Sequence, residues 1–244
     1  VTERPSRSEP ALDDAQAETP GAGISATSTA PSADGAAASG DAMARTRKVR
    51  GGNGARRPVY DATSLLAIAV AEFNTRGYDA TSMEDLSRAA GITKSSFYHH
   101  VSGKEHLLRT ALERALDGLF GILSEPPAQH GTALDRLRYI VRRQVEVLTG
   151  ELPYVTLLLR VRGNTETEQW ALDRRREFDG AIRALVAEAV QAGQVRRDVD
   201  PALAARLLSG TINSIIEWYR PDRPAAALPD DVVHAVSEGM LPPP

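Results

Sequence analysis

An all-α architecture is predicted for this chain: a three-helix unit of helix-turn-helix type near the N-terminus, then a larger helical unit. Three observations predict it. Beyond Pro58 the apolar residues recur at helical spacing to the end of the chain. Two Ser/Thr-x-x-Glu boxes, Thr81 with Glu84 and Ser102 with Glu105, mark helix starts. Between them Gly91 offers the positive φ of a tight interhelix turn, directly before a short segment that Thr93 would cap.

The 244 residues are 42% hydrophobic and 25% charged, a soluble composition with room for one or two domains and a sizeable core. No cysteine is present. Disulfides, thiolate metal sites and cysteine nucleophiles are therefore excluded, and the expected location, the cytoplasm, is compatible with that composition. The longest apolar runs, such as "YVTLLLRV", fall far short of a membrane span, and no apolar signal-peptide core opens the chain. No membrane partner is expected.

Residues 1–44 are Ala, Ser, Thr, Gly, Pro and acids with almost nothing large and apolar, so they are predicted to be a disordered tail. Met43 directly precedes a basic cluster while the sequence opens on Val1, which suggests a natural start at Met43. Residues 45–57 form a basic arm of Arg45, Arg47, Lys48, Arg50, Arg56 and Arg57 with no acid among them. Such an arm suits phosphates or a minor groove, and the same charge run also suits a solvated linker.

Leu66, Ala69, Val70 and Phe73 define the buried stripe of a first helix, closed by Gly77. The second helix is predicted from Thr81 through Ala90, the third from Thr93. Helix, glycine turn and short helix together form a helix-turn-helix signature. On the third helix Phe97 and Val101 face inward with Ile92, Met83 and Leu86, while Lys94, Ser95, Tyr98 and His99 form a separate outward stripe. Short hydroxyls can approach base edges in a major groove, and Tyr and Lys reach phosphates.

The histidines admit other chemistry. His99, His100 and His106 together would suit zinc, and one beside a nucleophile would suit general-base catalysis. The Ser102–Gly103 break, however, puts His106 on the next helix, and no nucleophile elbow, P-loop or dinucleotide fingerprint occurs. Neither metal, cofactor nor catalytic residue is predicted. His99 is expected to face DNA, and His100, beside Ser96, to contact backbone or pack locally. Plain surface residues are the simpler alternative for both.

The segment "TSMEDLSRAAGITKSSFYHHVSGKEHLL" resembles the DNA-binding domain of the TetR family of bacterial regulators, with its Thr-opened helix, glycine turn, Tyr-bearing short helix and Lys-Glu start of helix four. The resemblance implies double-stranded operator DNA as partner. It also implies contacts by Thr81, Lys94, Ser95, Ser96, Tyr98, His99, His100 and Lys104. Val101 stands where the family has an aromatic. Residues 58–106 would then be the helix-turn-helix DNA-binding domain and 107–241 the ligand-binding and dimerisation domain.

Within that second part, Leu134, Leu137, Val141, Val145 and Leu148 share one helix face, and Phe178, Ile182, Leu185, Val186 and Ala189 another. A further helix is predicted from the Asp200 cap and Pro201 to Tyr219, with two apolar stripes. One holds Leu203, Leu207, Thr211, Ile215 and Trp218, the other Leu208, Ile212, Ile216 and Tyr219. One stripe serves the monomer core. The other predicts a homodimer, with help from the helix of Val232, Val233 and Val236.

Gln144, Trp170 and Asn213 are amphipathic residues on faces that should line the interior, hence candidate pocket groups, and each also fits ordinary packing. Residues 158–182 and 193–221 resemble the C-terminal halves of actinobacterial TetR regulators of lipid and sterol breakdown, some of which sense acyl-CoA thioesters. That resemblance implies a small apolar effector of this type. Arg160, Arg162 and the run Arg174 to Arg176 would then meet CoA phosphates, unless they form only a solvated face. The predicted function is a ligand-responsive DNA-binding repressor, released from a palindromic operator by its effector. An all-helical carrier or enzyme without specific DNA binding is the alternative.

Overall fold

The Asp61 carboxylate accepts both the amide and the hydroxyl of Ser64 and so caps the first helix, α1 (Ala62–Arg76). The structure, a computed structural model, describes residues 61–223 and 225–241. The tail to residue 44, Met43 and the arm arginines and lysine from Arg45 to Arg57 lie outside the described residues.

Leu65, Leu66, Ala69, Val70 and Phe73 form the buried face of α1, as its spacing predicts. The next helix, α2 (Met83–Ala90), begins one residue later than the Thr81–Glu84 box implies. Ser82 is its cap, and the reciprocal partner is Asp85, whose carboxylate takes the Ser82 amide while Ser82 Oγ accepts the Asp85 amide. Thr81 is instead buried, its hydroxyl donating to the Gly77 carbonyl. Gly91 takes the left-handed conformation, φ 66°, that ends α2, and Thr93 Oγ1 caps α3 (Lys94–Tyr98) by accepting the Ser96 amide.

The second predicted box is not formed either. α4 (Lys104–Ser124) starts after Gly103, at φ 148°, with no side-chain cap, so Ser102 lies outside the cap position. Glu105 instead accepts a hydrogen bond from Thr167, sixty-two residues on.

Beyond α4 follow α5 (Pro126–Gln129), α6 (Ala133–Gly150), α7 (Leu152–Arg160) and α8 (Glu166–Gln191). Then come α9 (Pro201–Asn213), α10 (Ile215–Trp218) and α11 (Leu228–Glu238). Thr165 and Glu168 make a full capping box at the start of the 26-residue α8. The two predicted core faces are buried apart from Leu134, which is half-buried. α4 packs on α1, α6, α7 and α8, while α9 lies on α8 and α11 on α6. The expected domain division at residue 106 therefore falls inside α4, a helix that both parts share.

The helix predicted to run from Pro201 to Tyr219 breaks at Ser214, whose hydroxyl donates to the Thr211 carbonyl and competes with the helical ladder. The break turns Ile215 into the core, where 1% of its surface is exposed, and removes it from the outer stripe. Leu203, Leu207 and Trp218 stay on the surface, 55%, 61% and 53% exposed. Leu208 and Ile212 are buried, so α9 has one apolar face inside and one outside. Among the described residues no helix is long and apolar enough to cross a membrane.

Candidate functional site

Two sites can be built from these elements, one on the head formed by α1 to α3 and one inside the helices behind it. On the head, Phe97 is wholly buried and Val101 nearly so, which fixes the rotation of α3. Lys94, Ser95, Tyr98, His99 and His100 are thereby left exposed, and Ser96 half-buried. α3 ends at Tyr98, so His99 is its C-cap and His100 follows in the turn, with their amides bonded back to α3 carbonyls. No Asp or Glu occurs between Asp85 and Glu105. The acids that precede this stretch are engaged: Arg88 binds Glu84 and Asp85, and Arg76 binds Glu72 and Asp85. The Ser82 hydroxyl and amide, and behind them Arg88 and Arg76, hold the Asp85 carboxyl down to about 2. The outward face of α3 thus carries hydroxyls, imidazoles and a cation without a competing carboxylate.

Two of the eight residues expected on DNA have other occupations. Thr81 is 1% exposed with its hydroxyl spent on Gly77, so it supports the start of α2 and has no free group to offer a phosphate. The Lys104 ammonium donates to the Tyr78 carbonyl at 3.0 Å and lies 4.2 Å above the Tyr78 ring. It keeps two further N–H donors. His106, exposed on α4, is on a different element from His99 and His100, and among the described residues no three metal-binding side chains converge.

The head is tied to the helices behind it through polar links at one corner. Asn74 of α1 donates to the Pro153 carbonyl and accepts from Arg160 at its own carbonyl, both at 2.8 Å. Asn164 donates to Asp79 at 2.9 Å. Arg160 therefore belongs to this junction and not to an interior pocket. Trp170 also lies outside the pocket: its ring lies 3.3 Å from the Arg109 guanidinium, joining α8 to α4.

Gln144 and Asn213, the other two ligand candidates, do meet. They line one small cavity of about 40 Å³ enclosed by α4, α6, α7, α8 and α9. Leu119, Leu148, Val155, Leu158, Phe178 and Ile212 supply its apolar wall, and Arg175, Asp179 and Ser209 its remaining polar groups. Ser209 donates to Asp179 at 2.9 Å and closes one side between α8 and α9. Burial lowers the basicity of Arg175, partly countered by Asp179. Its nearest bond is a long one to the Leu158 carbonyl, 3.4 Å.

Arg175 was legible in the sequence, since it precedes Phe178 by three residues and Ile182 by seven and so lies on the buried stripe. Its neighbours in the arginine run diverge around the helix. Arg174 stacks on Phe120 and pairs with Glu177, while Arg176 pairs with Asp173 on the surface. Ser209 and Asp179 had no such signal, because their meeting depends on how α9 crosses α8.

Known proteins share this all-helical fold. Residues 60–111 match the bacterial regulatory proteins of the tetR family, and residues 130–238 match the tetracyclin repressor-like C-terminal domain. Over 162 residues the chain is 32% identical to the HTH-type transcriptional repressor KstR2 of Rhodococcus jostii (strain RHA1), an overlap of 65% of this chain and 79% of that one. Among solved structures, SCO3833, a member of the TetR transcriptional regulator family from Streptomyces coelicolor A3, is 60% identical. The match has a TM-score of 0.67 and covers 75% of this chain and 90% of that chain. The ketosteroid transcriptional regulator KstR2 of Mycobacterium tuberculosis is 25% identical, with a TM-score of 0.68 and coverage of 75% and 95%.

Proposed function

Because this chain belongs to the TetR family of bacterial transcriptional regulators, we propose that it is a homodimeric repressor. It grips operator DNA with α2 and α3 and is released by a small effector, an acyl-CoA thioester, that opens the cavity behind α4. The observation that carries the DNA-binding part is the α3 face: exposed Lys94, Ser95, Tyr98 and His99 in an acid-free stretch, presented after a left-handed glycine turn. Naming of the R. jostii relative as a transcriptional repressor supports the sign of the regulation. A regulator of this type acts where the chromosome is, in the cytoplasm, and needs no catalytic residue.

The division of labour we propose follows the elements. Residues 45–57 would follow phosphates beside the operator, 58–106 would carry the DNA contacts, and 107–241 the effector cavity and the dimer. Ser95, Tyr98 and His99 would read or flank bases, with Lys94, Ser96, His100 and the spare donors of Lys104 on phosphates.

Coupling would run along α4. Lys104 at its start holds the α1–α2 link, and Leu119 on the same helix lines the cavity. These two residues lie about 22 Å apart along a rigid axis. A cavity of about 40 Å³ has space for a few waters and none for an acyl chain, so an effector must part α4 from α8 or α9. The two recognition helices of a dimer must reach grooves about 34–36 Å apart, and a small rotation of α4 would spoil that spacing. Effector binding then weakens operator binding by differential affinity for the two dimer forms.

The test is an electrophoretic shift with the DNA upstream of the protein's own gene, in the presence of excess unrelated DNA. A specific, salt-sensitive shift that decanoyl-CoA abolishes is the expected result. Binding of decanoyl-CoA with no preference for that DNA would instead favour a helical carrier or enzyme.

A further inference from the structure

Resting on the acyl-CoA reading above, we propose that the effector's acyl group carries a carbonyl or hydroxyl oxygen of its own, and that Gln144 selects for it. Gln144 is 8% exposed and sits on the buried face of α6 between Val141 and Leu148. Its side chain forms no hydrogen bond among the described residues and joins the lining of the small cavity. Most other buried polar side chains are occupied. Thr81 donates to the Gly77 carbonyl, Ser87 to the Met83 carbonyl and Thr167 to Glu105, while Glu168 accepts the amides of Asn164 and Thr165. Ser237 is on α11, outside the cavity lining.

The position of Gln144 in the cavity wall makes it distinctive. From α4, α6 and α7 the cavity receives Leu119, Leu148, Val155, Leu158 and Leu159, and Gln144 is the single polar residue on that side. The remaining polar lining residues all come from α8 and α9. There Ser209 bonds Asp179, and Asn213, only half-buried, also lines a surface groove open to solvent. Gln144 alone faces hydrocarbon with a buried, unpaired amide.

An apolar side chain at this position would complete the stripe without desolvating a polar group, as Val141 and Leu148 do on either side. An unpaired amide in the interior is destabilising, so its presence calls for a partner. A plain hydrocarbon chain entering the cavity would shut the amide away from water and return no hydrogen bond. A carbonyl on the chain can instead accept from Nε2, and a hydroxyl can also donate to Oε1. A site built around such a bond rejects the analogue that lacks the partner group, because its own polar atoms are then left bare.

Calorimetry on the full chain at fixed salt compares decanoyl-CoA with its mono-oxo and mono-hydroxy derivatives, the oxygen placed at successive carbons along the acyl chain. At least one oxygenated ester should bind about tenfold more tightly than decanoyl-CoA, the effect of one neutral hydrogen bond kept and not lost. In Gln144→Met, which retains the unbranched shape without the amide, decanoyl-CoA affinity should hold or rise and that preference should vanish. Gln144→Leu should behave alike and replaces it if thermal melting shows the first variant to be unfolded. General damage to the cavity would weaken every ester together, so the ratio of affinities within one protein is the quantity read. No preference in the wild type overturns the proposal, as does a preference that survives the substitution. Equal losses for plain and oxygenated esters, expected if Gln144 holds the thioester carbonyl, overturn it too. Each of these leaves the acyl-CoA reading standing, whereas a wild-type protein that binds no ester of the series overturns both.

Discussion

Replacement of Leu207 by Ser should split the dimer without unfolding the protomer. Leu207 sits on the outward face of α9 with 61% of its surface exposed, beside Leu203 at 55%. Full burial of a leucine side chain stabilises by about 1.5–3 kcal/mol, so covering the exposed share of Leu207 contributes about 0.9–1.8 kcal/mol. A two-fold axis makes every substitution count twice, giving about 2–4 kcal/mol per dimer. At 1.4 kcal/mol per factor of ten, the dimer dissociation constant should rise about 20- to 500-fold. Sedimentation velocity over a dilution series measures this directly, and circular dichroism at high protein concentration checks the fold. Operator affinity should fall in parallel, because a half-site alone lacks the second groove. A Leu207→Ser protein that dissociates at the wild-type concentration would refute the assignment of this stripe to the dimer.

Three further outcomes test the other elements. Ser82→Ala should lower Tm by about 2–4 °C through loss of the α2 cap. Since Ser82 is the main reason that the Asp85 carboxyl lies near 2, its contribution is present above the ordinary carboxylate range, near pH 4, and disappears as pH falls toward 2. The variant should therefore lose the part of the acid dependence of stability between about pH 4 and 2 that belongs to this pair, and an unchanged acid limb would contradict the capping role. His99→Ala should cut discrimination between operator and random DNA by about 1–3 kcal/mol, with no effect of a zinc chelator on either protein. Stoichiometric metal in the purified protein would reverse that reading. Deletion of residues 1–44 should leave operator affinity nearly unchanged, whereas deletion through Arg57 should weaken it and flatten its salt dependence. Equal affinity for the two truncations would reduce the arm to a linker.

The local features of this chain were legible wherever a short stretch decides its own conformation. The apolar stripe of α1, the left-handed Gly91, the Thr93 cap and the inward Phe97 are all properties of residues within one or two turns of each other, so spacing alone sets them. Even there the cap of α2 went to Ser82, because adjacent hydroxyls compete for the same amides and the buried Thr81 satisfied itself at Gly77, and α4 starts at Gly103 with no side-chain cap. Gln144 and Asn213 sit on faces that helical periodicity turns inward, while of the run Arg174 to Arg176, expected as one group, only Arg175 lines the cavity. What tertiary structure decided was which of these faces meet. Arg160 belongs to the head junction and Trp170 to the contact of α8 with α4, and neither lines the cavity, since α7 packs toward α1 and the start of α8 toward α4. The Asp179–Ser209 contact exists only because α9 crosses α8 at that point. Periodicity sets the direction in which a side chain leaves its helix, but the crossing of two helices is set by the summed packing of both, and no window of sequence contains that sum.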